Sequence, residues 1–218
     1  MDFGGGCSLH KASLMAWLIN QFKLKTTLDI GVYRGRSLFP QAVAHKHGSG
    51  GVVYGVDPWS KLEATENDNV ELKEEIDAFV KATDFNQIFN IVDGLNREWG
   101  LTRHCVLVRK TSAQASPWFD EQKIRFDLMH IDGNHDTQRV MEDLSLYLPK
   151  LNPGGVVVLD DVSWASVRPA YDLLQGKFKL LYHKVDAGKM NDFAVWWDAN
   201  SSFQLRLTRV KLKLAIPK

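Results

Sequence analysis

The sequence predicts an open α/β sheet, mostly parallel with an antiparallel terminal hairpin, and with helices on both faces. Three observations lead there. Short runs rich in Val, Ile and Leu recur at 28–30, 52–56, 105–108, 126–131 and 155–159, and strands apolar on both sides are what a helix-covered parallel sheet requires. Segments of helical periodicity separate them, and strand–helix alternation implies right-handed crossovers. Two last strand-like runs, 178–184 and 192–198, flank Asp186-Ala187-Gly188-Lys189, a spacing that suits a hairpin with a short glycine-containing turn.

Taken in order, Ser8 is placed to cap an early helix whose face carries Leu14, Trp17, Leu18 and Phe22, so residues 1–24 form a helical cap on a single domain spanning 1–218. Residues 61–92 are acidic and helix-prone, an insertion between the second and third strands that is placed to cover a site. In 136–151 the apolar residues Val140, Met141, Leu144, Tyr147, Leu148 and Leu151 fall three and four apart, and Asn152-Pro153-Gly154-Gly155 reads as the stop. A further helix is expected near 166–175. In the tail, 200–218, Phe203, Leu205 and Leu207, then Val210, Leu212, Leu214 and Ile216, alternate with Arg206, Arg209, Lys211 and Lys213. That pattern is an edge strand with gatekeeping charges or a subunit contact that makes a homo-oligomer.

Composition removes whole classes. Lys+Arg minus Asp+Glu is 27 − 26 = +1, so no overall field draws nucleic acid or a membrane surface. Two cysteines, Cys7 and Cys105, cannot build a disulfide scaffold or a cysteine-rich zinc site. No apolar run approaches a transmembrane span, and Met1 to Gly6 lack the basic start and apolar core of a signal peptide. A cytoplasmic domain with a small-molecule partner is expected.

Ligands of such sheets bind beyond the carboxyl ends of the strands, where strand order reverses. After the first strand comes Asp29-Ile30-Gly31-Val32-Tyr33-Arg34-Gly35-Arg36-Ser37. Gly31 lets the backbone turn, and Gly35 lets a ligand approach the next helix; the alternative is a tight turn alone. The spacing is not G-x-G-x-x-G and no Walker lysine-serine pair follows, so nucleotide triphosphate cleavage is not supported. The second strand ends Val56-Asp57-Pro58-Trp59, where Asp57 can accept from a ribose diol and Trp59 offers a purine face; a cap and a core residue are the alternatives. After the third strand, the Ser112 hydroxyl can meet an adenine edge or cap a helix.

The fourth and fifth strands end in His130-Ile131-Asp132-Gly133-Asn134-His135 and Leu159-Asp160-Asp161. Three carboxylates at neighbouring strand ends repel unless a cation or proton intervenes. Hard oxygen ligands without a thiolate suit Mg²⁺, Mn²⁺ or Ca²⁺, so Asp132, Asp160 and Asp161 are candidate metal ligands. The alternative is three caps and turn formers. His135 follows Asp132 by three residues and is a proton acceptor suited to neutral pH.

Residues 27–198 resemble class I S-adenosylmethionine-dependent methyltransferases. Asp29-Ile30-Gly31 through Gly35-Arg36-Ser37 is similar to their glycine-rich motif, and Val56-Asp57-Pro58-Trp59 to their acidic second-strand end. His130-Ile131-Asp132-Gly133-Asn134-His135, with Pro153-Gly154-Gly155 and Leu159-Asp160-Asp161, resembles the macrocin- and mycinamicin-type branch of small-molecule O-methyltransferases, although the large extra N-terminal domain of those enzymes has no counterpart here. The resemblance implies a Rossmann-like seven-stranded methyltransferase sheet. It implies that Asp29, Gly31, Gly35 and Ser37 line the methionine end of S-adenosylmethionine, with Asp57 on the ribose, Ser112 near the adenine, and Trp59 and Asp132 beside them. It further implies Mg²⁺ or Mn²⁺ on Asp132, Asp160 and Asp161, with His135 as base, for O-methylation of a sugar, a polyketide or macrolide, or a catechol-like acceptor. A nicotinamide-dependent oxidoreductase and a non-catalytic adenosine-binding protein on the same sheet remain as alternatives.

Overall fold

A computed structural model describes residues 6–68, 70–185 and 192–198. The predicted hairpin turn at 186–189 and the tail at 200–218 lie outside the described residues. Seven strands form one sheet: β1 (Thr26–Ile30), β2 (Val52–Val56), β3 (Cys105–Val108), β4 (Phe126–Ile131), β5 (Leu151–Asp160), β6 (Lys179–Lys184) and β7 (Phe193–Trp197). Their order is β3-β2-β1-β4-β5-β7-β6. The pairs among β1 to β5 are parallel, and β7 runs antiparallel between β5 and β6. The chain builds outward from β1 through β2 to β3, then returns to β1's other edge with β4. The crevice between β1 and β4 is therefore the point where strand order reverses.

Strand alternation sorts the side chains into two layers. Leu28 and Ile30 of β1, Met129 and Ile131 of β4, and Val157 and Leu159 of β5 pack under α5 (Ser112–Glu121), α6 (Thr137–Tyr147) and α7 (Arg168–Lys177), around Phe119, Phe126 and Tyr147. Leu128, Val156 and Val158 point the other way, under α1 (Leu9–Phe22). On that same face α2 (Leu38–Ala44), α3 (Lys73–Ala82) and α4 (Phe85–Glu98) cover β2 and β3 through Phe39, Phe85 and Val92. The odd–even split has a consequence for the site: Asp29, His130 and Asp160 share the α1-facing parity of their strands.

Three local features differ from the sequence expectation. Asn152-Pro153-Gly154-Gly155 does not simply end a helix. α6 finishes at Tyr147, a single 3₁₀ turn follows at Leu148–Lys150, and β5 is already paired at Leu151, with a register shift against β4 before Val156. The Pro and glycines absorb that irregularity, which a regular strand interior would not tolerate. The early helix buries Lys11, Leu14, Met15 and Leu18, with Trp17 only half-buried. Between β2 and β3, α4 is the crossover helix proper, so only 61–68 and α3 are additional to the basic fold. No helix among the described residues is long and apolar enough to cross a membrane.

Gly31 sits at φ +84°, and a Cβ there would lie 1.8 Å from the Asp132 carbonyl oxygen, so β1 and β4 close on each other only because this residue has no side chain. Gly31→Ala should cost at least about 2 kcal/mol in urea denaturation. By contrast Gly94→Ala, in α4 with nothing within 4 Å of the added carbon, should stabilise by roughly 0.5–1 kcal/mol. Equal effects at the two positions would contradict the assigned packing.

Candidate functional site

A cavity of about 250 Å³ opens over the carboxyl ends of β1, β2 and β4. Gly31, Asp57, Ser112, Asp132, His135 and Asp143 line it, and the segment following β2, including Glu63, Ala64 and Glu66, closes its outer side together with Phe79 and Phe85. Three non-glycine residues on the surrounding loops adopt left-handed backbone, Tyr33 at φ 47°, Trp59 at 44° and Asp161 at 48°. Such strain persists where the surroundings over-determine it, as at ligand sites.

Asp57 joins two of these loops. Its Oδ2 accepts from the Tyr33 amide at 2.9 Å and its Oδ1 from the Trp59 amide at 2.6 Å. Burial pushes its pKa up against these backbone hydrogen bonds. The Val32 amide also donates to this carboxylate, so three backbone donors leave it one acceptor direction for a ligand in the cavity.

The opposite side is built from two helices. Thr111, not Ser112, caps α5, in a reciprocal capping box with Gln114. Ser112 is the first helical residue and hydrogen-bonds Asp143 of α6. Asp143 was not singled out from sequence. It lies within the buried stripe Val140, Asp143, Leu144, Tyr147, and an acid on an apolar helix face is the signal that could have found it. Burial raises its pKa to about 7, with the Ser112 hydrogen bond opposing. Tyr147, one turn on, donates to the Ser112 carbonyl at 2.8 Å and fixes the spacing of the two helices.

The third side is a web of charge. Glu66 Oε1 accepts from the His135 amide at 3.1 Å and sits 2.6 Å from His135 Nδ1. His135 Nε2 lies 3.0 Å from Asp161 Oδ2 and 3.6 Å from Asp132 Oδ1, and Trp164 packs beside the ring at 4.7 Å. Burial disfavours an imidazolium, yet Asp132, Asp161 and Glu66 together hold the His135 pKa well above the ordinary histidine value. Burial likewise opposes ionisation of Asp132, but Lys11, then His135 and His130, hold its carboxyl below the usual range. The histidine read from sequence as a proton acceptor stands among three carboxylates, Glu66, Asp132 and Asp161, whose negative charge favours its protonated form. Glu66 was also missed, because nothing in an acidic insertion marks one glutamate as the partner of a histidine 69 residues away.

Other expectations change as well. Trp59 gives no face to the cavity; it is 2% exposed, donates to the Tyr33 carbonyl at 2.9 Å and packs on Phe89, so it is core. Asp29 and Ser37 stand behind the cavity wall rather than on it. Ser37 donates to Asp29 Oδ2 at 2.7 Å, and His130 Nδ1 lies 2.6 Å from Asp29 Oδ1. Gly35, at φ +82°, is packed against the Phe39 ring. These three support the turn that Gly31 makes.

The expected metal triad does not converge. Asp160 has the α1-facing parity of β5, whereas Asp161, in left-handed backbone after the strand, turns to His135. Two separate groups have donor atoms within 4.8 Å of one another: His130, Asp132 and Asp160, and Asp132, His135 and Asp161. In the first, the Lys11 ammonium pairs with Asp160 and lies 3.4 Å from Asp132 Oδ2. In the second, the His135 imidazole itself stands against both carboxylates, which favour its protonated form. A divalent ion on Asp132, Asp160 and Asp161 does not fit this arrangement.

Comparison with known proteins agrees with the geometry. Solved structures of the same fold include the O-methyltransferase of Bacillus cereus solved with SAH, at 15% identity and TM-score 0.63, covering 88% of this chain and 81% of that one. The O-methyltransferase TomG of Streptomyces achromogenes, involved in tomaymycin synthesis and solved with SAM, matches at 16% identity and TM-score 0.63, covering 88% and 80%. A methyltransferase from Geobacter sulfurreducens matches at 13% and 0.56, covering 88% and 80%. No curated protein matches the sequence. The model of the methyltransferase domain matches residues 28–162, more than half of the chain, and this protein belongs to the methyltransferase domain family.

Proposed function

We propose that the chain transfers a methyl group from S-adenosylmethionine to a hydroxyl of a small molecule: a sugar, a polyketide or macrolide, or a catechol-like ring. The observation that carries this reading is one cavity at the strand-order reversal, with Asp57 and the Ser112–Asp143 pair around it and the Asp132–His135 charge web closing it. The SAM- and SAH-bound relatives of the same fold support the choice of cofactor.

Bound S-adenosylmethionine supplies a methyl group already activated on a sulfonium, so the protein's task is alignment and proton removal. Alignment alone is worth many orders of magnitude, with effective molarities on the order of 10⁵–10⁸ M. Asp57 accepts from the ribose diol. Ser112 and Asp143 face the adenine edge, where a carboxylate acceptor suits an exocyclic amine. His135 holds the acceptor hydroxyl. Nε2 first gives its proton to Asp161 Oδ2, 3.0 Å away, and the lone pair so freed takes the hydroxyl proton as the oxygen attacks. Burial raises the Asp161 pKa against the hydrogen bond of His135, which makes it an adequate terminal acceptor. Mg²⁺ or Mn²⁺ has no step in this reading.

The test is transfer of labelled methyl to a panel of vicinal diols and phenols. His135→Ala should lower kcat by roughly 10²–10⁴-fold with cofactor affinity unchanged; undiminished turnover would remove the relay. In calorimetry, Asp57→Asn should weaken S-adenosylmethionine binding by about 1.5–3 kcal/mol, and unchanged affinity in a folded variant would remove Asp57 from the site.

Asp143 carries a pH signature independent of any ligand. Its pKa is near 7 folded, against 3.8 as the ordinary value. Below pH ~4 both states hold the proton; between there and pH ~7 only the folded state does, so stability falls as pH rises through this window. Asp143→Asn removes that dependence. Relative to the wild type, the variant should therefore gain on the order of 4 kcal/mol between pH 4 and pH 8. A pH-independent difference in urea titrations would contradict the buried position.

A further inference from the structure

We infer that Lys11 is a built-in counter-ion at the position between Asp132 and Asp160 where a divalent cation would otherwise bind, and that the two exclude each other. The inference deepens the methyltransferase reading by naming the charge that balances Asp132, which lines the cavity. It is tested without cofactor or acceptor, so its failure and the failure of that reading are distinguishable.

The placement follows from local structure. Ser8 caps α1 by accepting from the Lys11 amide at 3.2 Å, which fixes the first turn. Lys11, Met15 and Leu18 then fall at spacings of four and three on one stripe, and Lys11, Met15 and Leu18 are all buried. That stripe lies over Leu128, Val156 and Val158 of β4 and β5. Two residues beyond Val158 comes Asp160, with the same parity, and two beyond His130 comes Asp132. The lysine stem runs along apolar surface and its ammonium arrives where the two carboxylates end.

Lys11 is 1% exposed and Asp160 4%, so neither charge is solvated and each depends on the other. Asp160 Oδ1 has no hydrogen-bond partner among the described residues. A fully buried carboxylate oxygen left free is what remains when one monovalent ammonium stands in for an ion with several coordination positions. His130, Asp132 and Asp160 offer donor atoms within 4.8 Å of one another, a group of cation size whose two carboxylates the ammonium bridges. Lys11 contributes one positive charge against the two of Asp132 and Asp160. The group without it would carry enough negative charge to draw a hard divalent ion.

Mn²⁺ titration followed by electron paramagnetic resonance tests this, with thermal melting alongside. The wild type should bind no Mn²⁺ at this group and its melting temperature should not move. Lys11→Ala should melt lower, bind one Mn²⁺ at least about tenfold more tightly than the wild type, and recover melting temperature as Mn²⁺ is added. Asp160→Asn in that background should abolish the binding. If Lys11→Ala is unfolded alone and folds on Mn²⁺ addition, the inference holds; if Mn²⁺ neither binds nor rescues it, the inference falls. Lys11→Met with Asp160→Asn, which removes both charges, should fold and ignore Mn²⁺. Stoichiometric Mn²⁺ binding by the wild type, lost in Asp160→Asn, would overturn the proposal outright.

Discussion

Buried negative charge at the ends of β1, β4 and β5 is the constraint on which the rest of this structure depends. Asp29 and Asp160 are buried on the α1-facing side of the sheet, Asp132 stands partly exposed at the cavity beside them, and a buried carboxylate without a partner costs several kcal/mol. Each is matched from elsewhere in the chain: Asp29 by His130, and Asp132 and Asp160 by Lys11. Lys11 comes from the first helix, 121 and 149 residues away from its two partners. The helix therefore cannot slide or rotate over the sheet without stranding two charges, and its apolar stripe is held in one register.

A second group of charges faces the cavity. His135 is bound on one nitrogen by Glu66 and approached on the other by Asp132 and Asp161. The same loop secures the segment after β2. Asn134 donates to the carbonyls of Glu63 and Thr65 at 3.0 and 2.8 Å, and Asp136 accepts from the amides of Asn67 and Asp68 at 2.6 and 2.8 Å. The outer wall of the cavity is thus fastened to the loop that carries the histidine. In a methyltransferase such fastening couples exclusion of water to placement of the reacting groups.

What could be read from sequence was what depends on neighbours in the chain. The five apolar runs and the terminal hairpin follow from composition and period, and Asp57, Ser112, Asp132 and His135 follow from standing just after strands of an α/β sheet. Trp59 could not be placed, since the same side chain suits a purine or the Phe89 ring, and only the left-handed turn decides. Asp160 and Asp161 both read as metal ligands because both stand at the end of one strand beside Asp132. Strand parity, which sends consecutive side chains to opposite faces, was available in the sequence and separates them. Lys11, Glu66 and Asp143 were out of reach for a different reason. Each is an ionisable residue on a helix or insertion whose meaning comes from a partner remote in sequence, and the hint was at most a charge on an apolar stripe.

The central claim is that this sheet end binds a sulfonium nucleoside and not a dinucleotide. Native mass spectrometry of the purified protein with equal amounts of S-adenosylhomocysteine and NADH addresses it most directly. The account predicts a one-to-one complex with S-adenosylhomocysteine and no NADH adduct; retention of NADH, or of neither ligand, would contradict it.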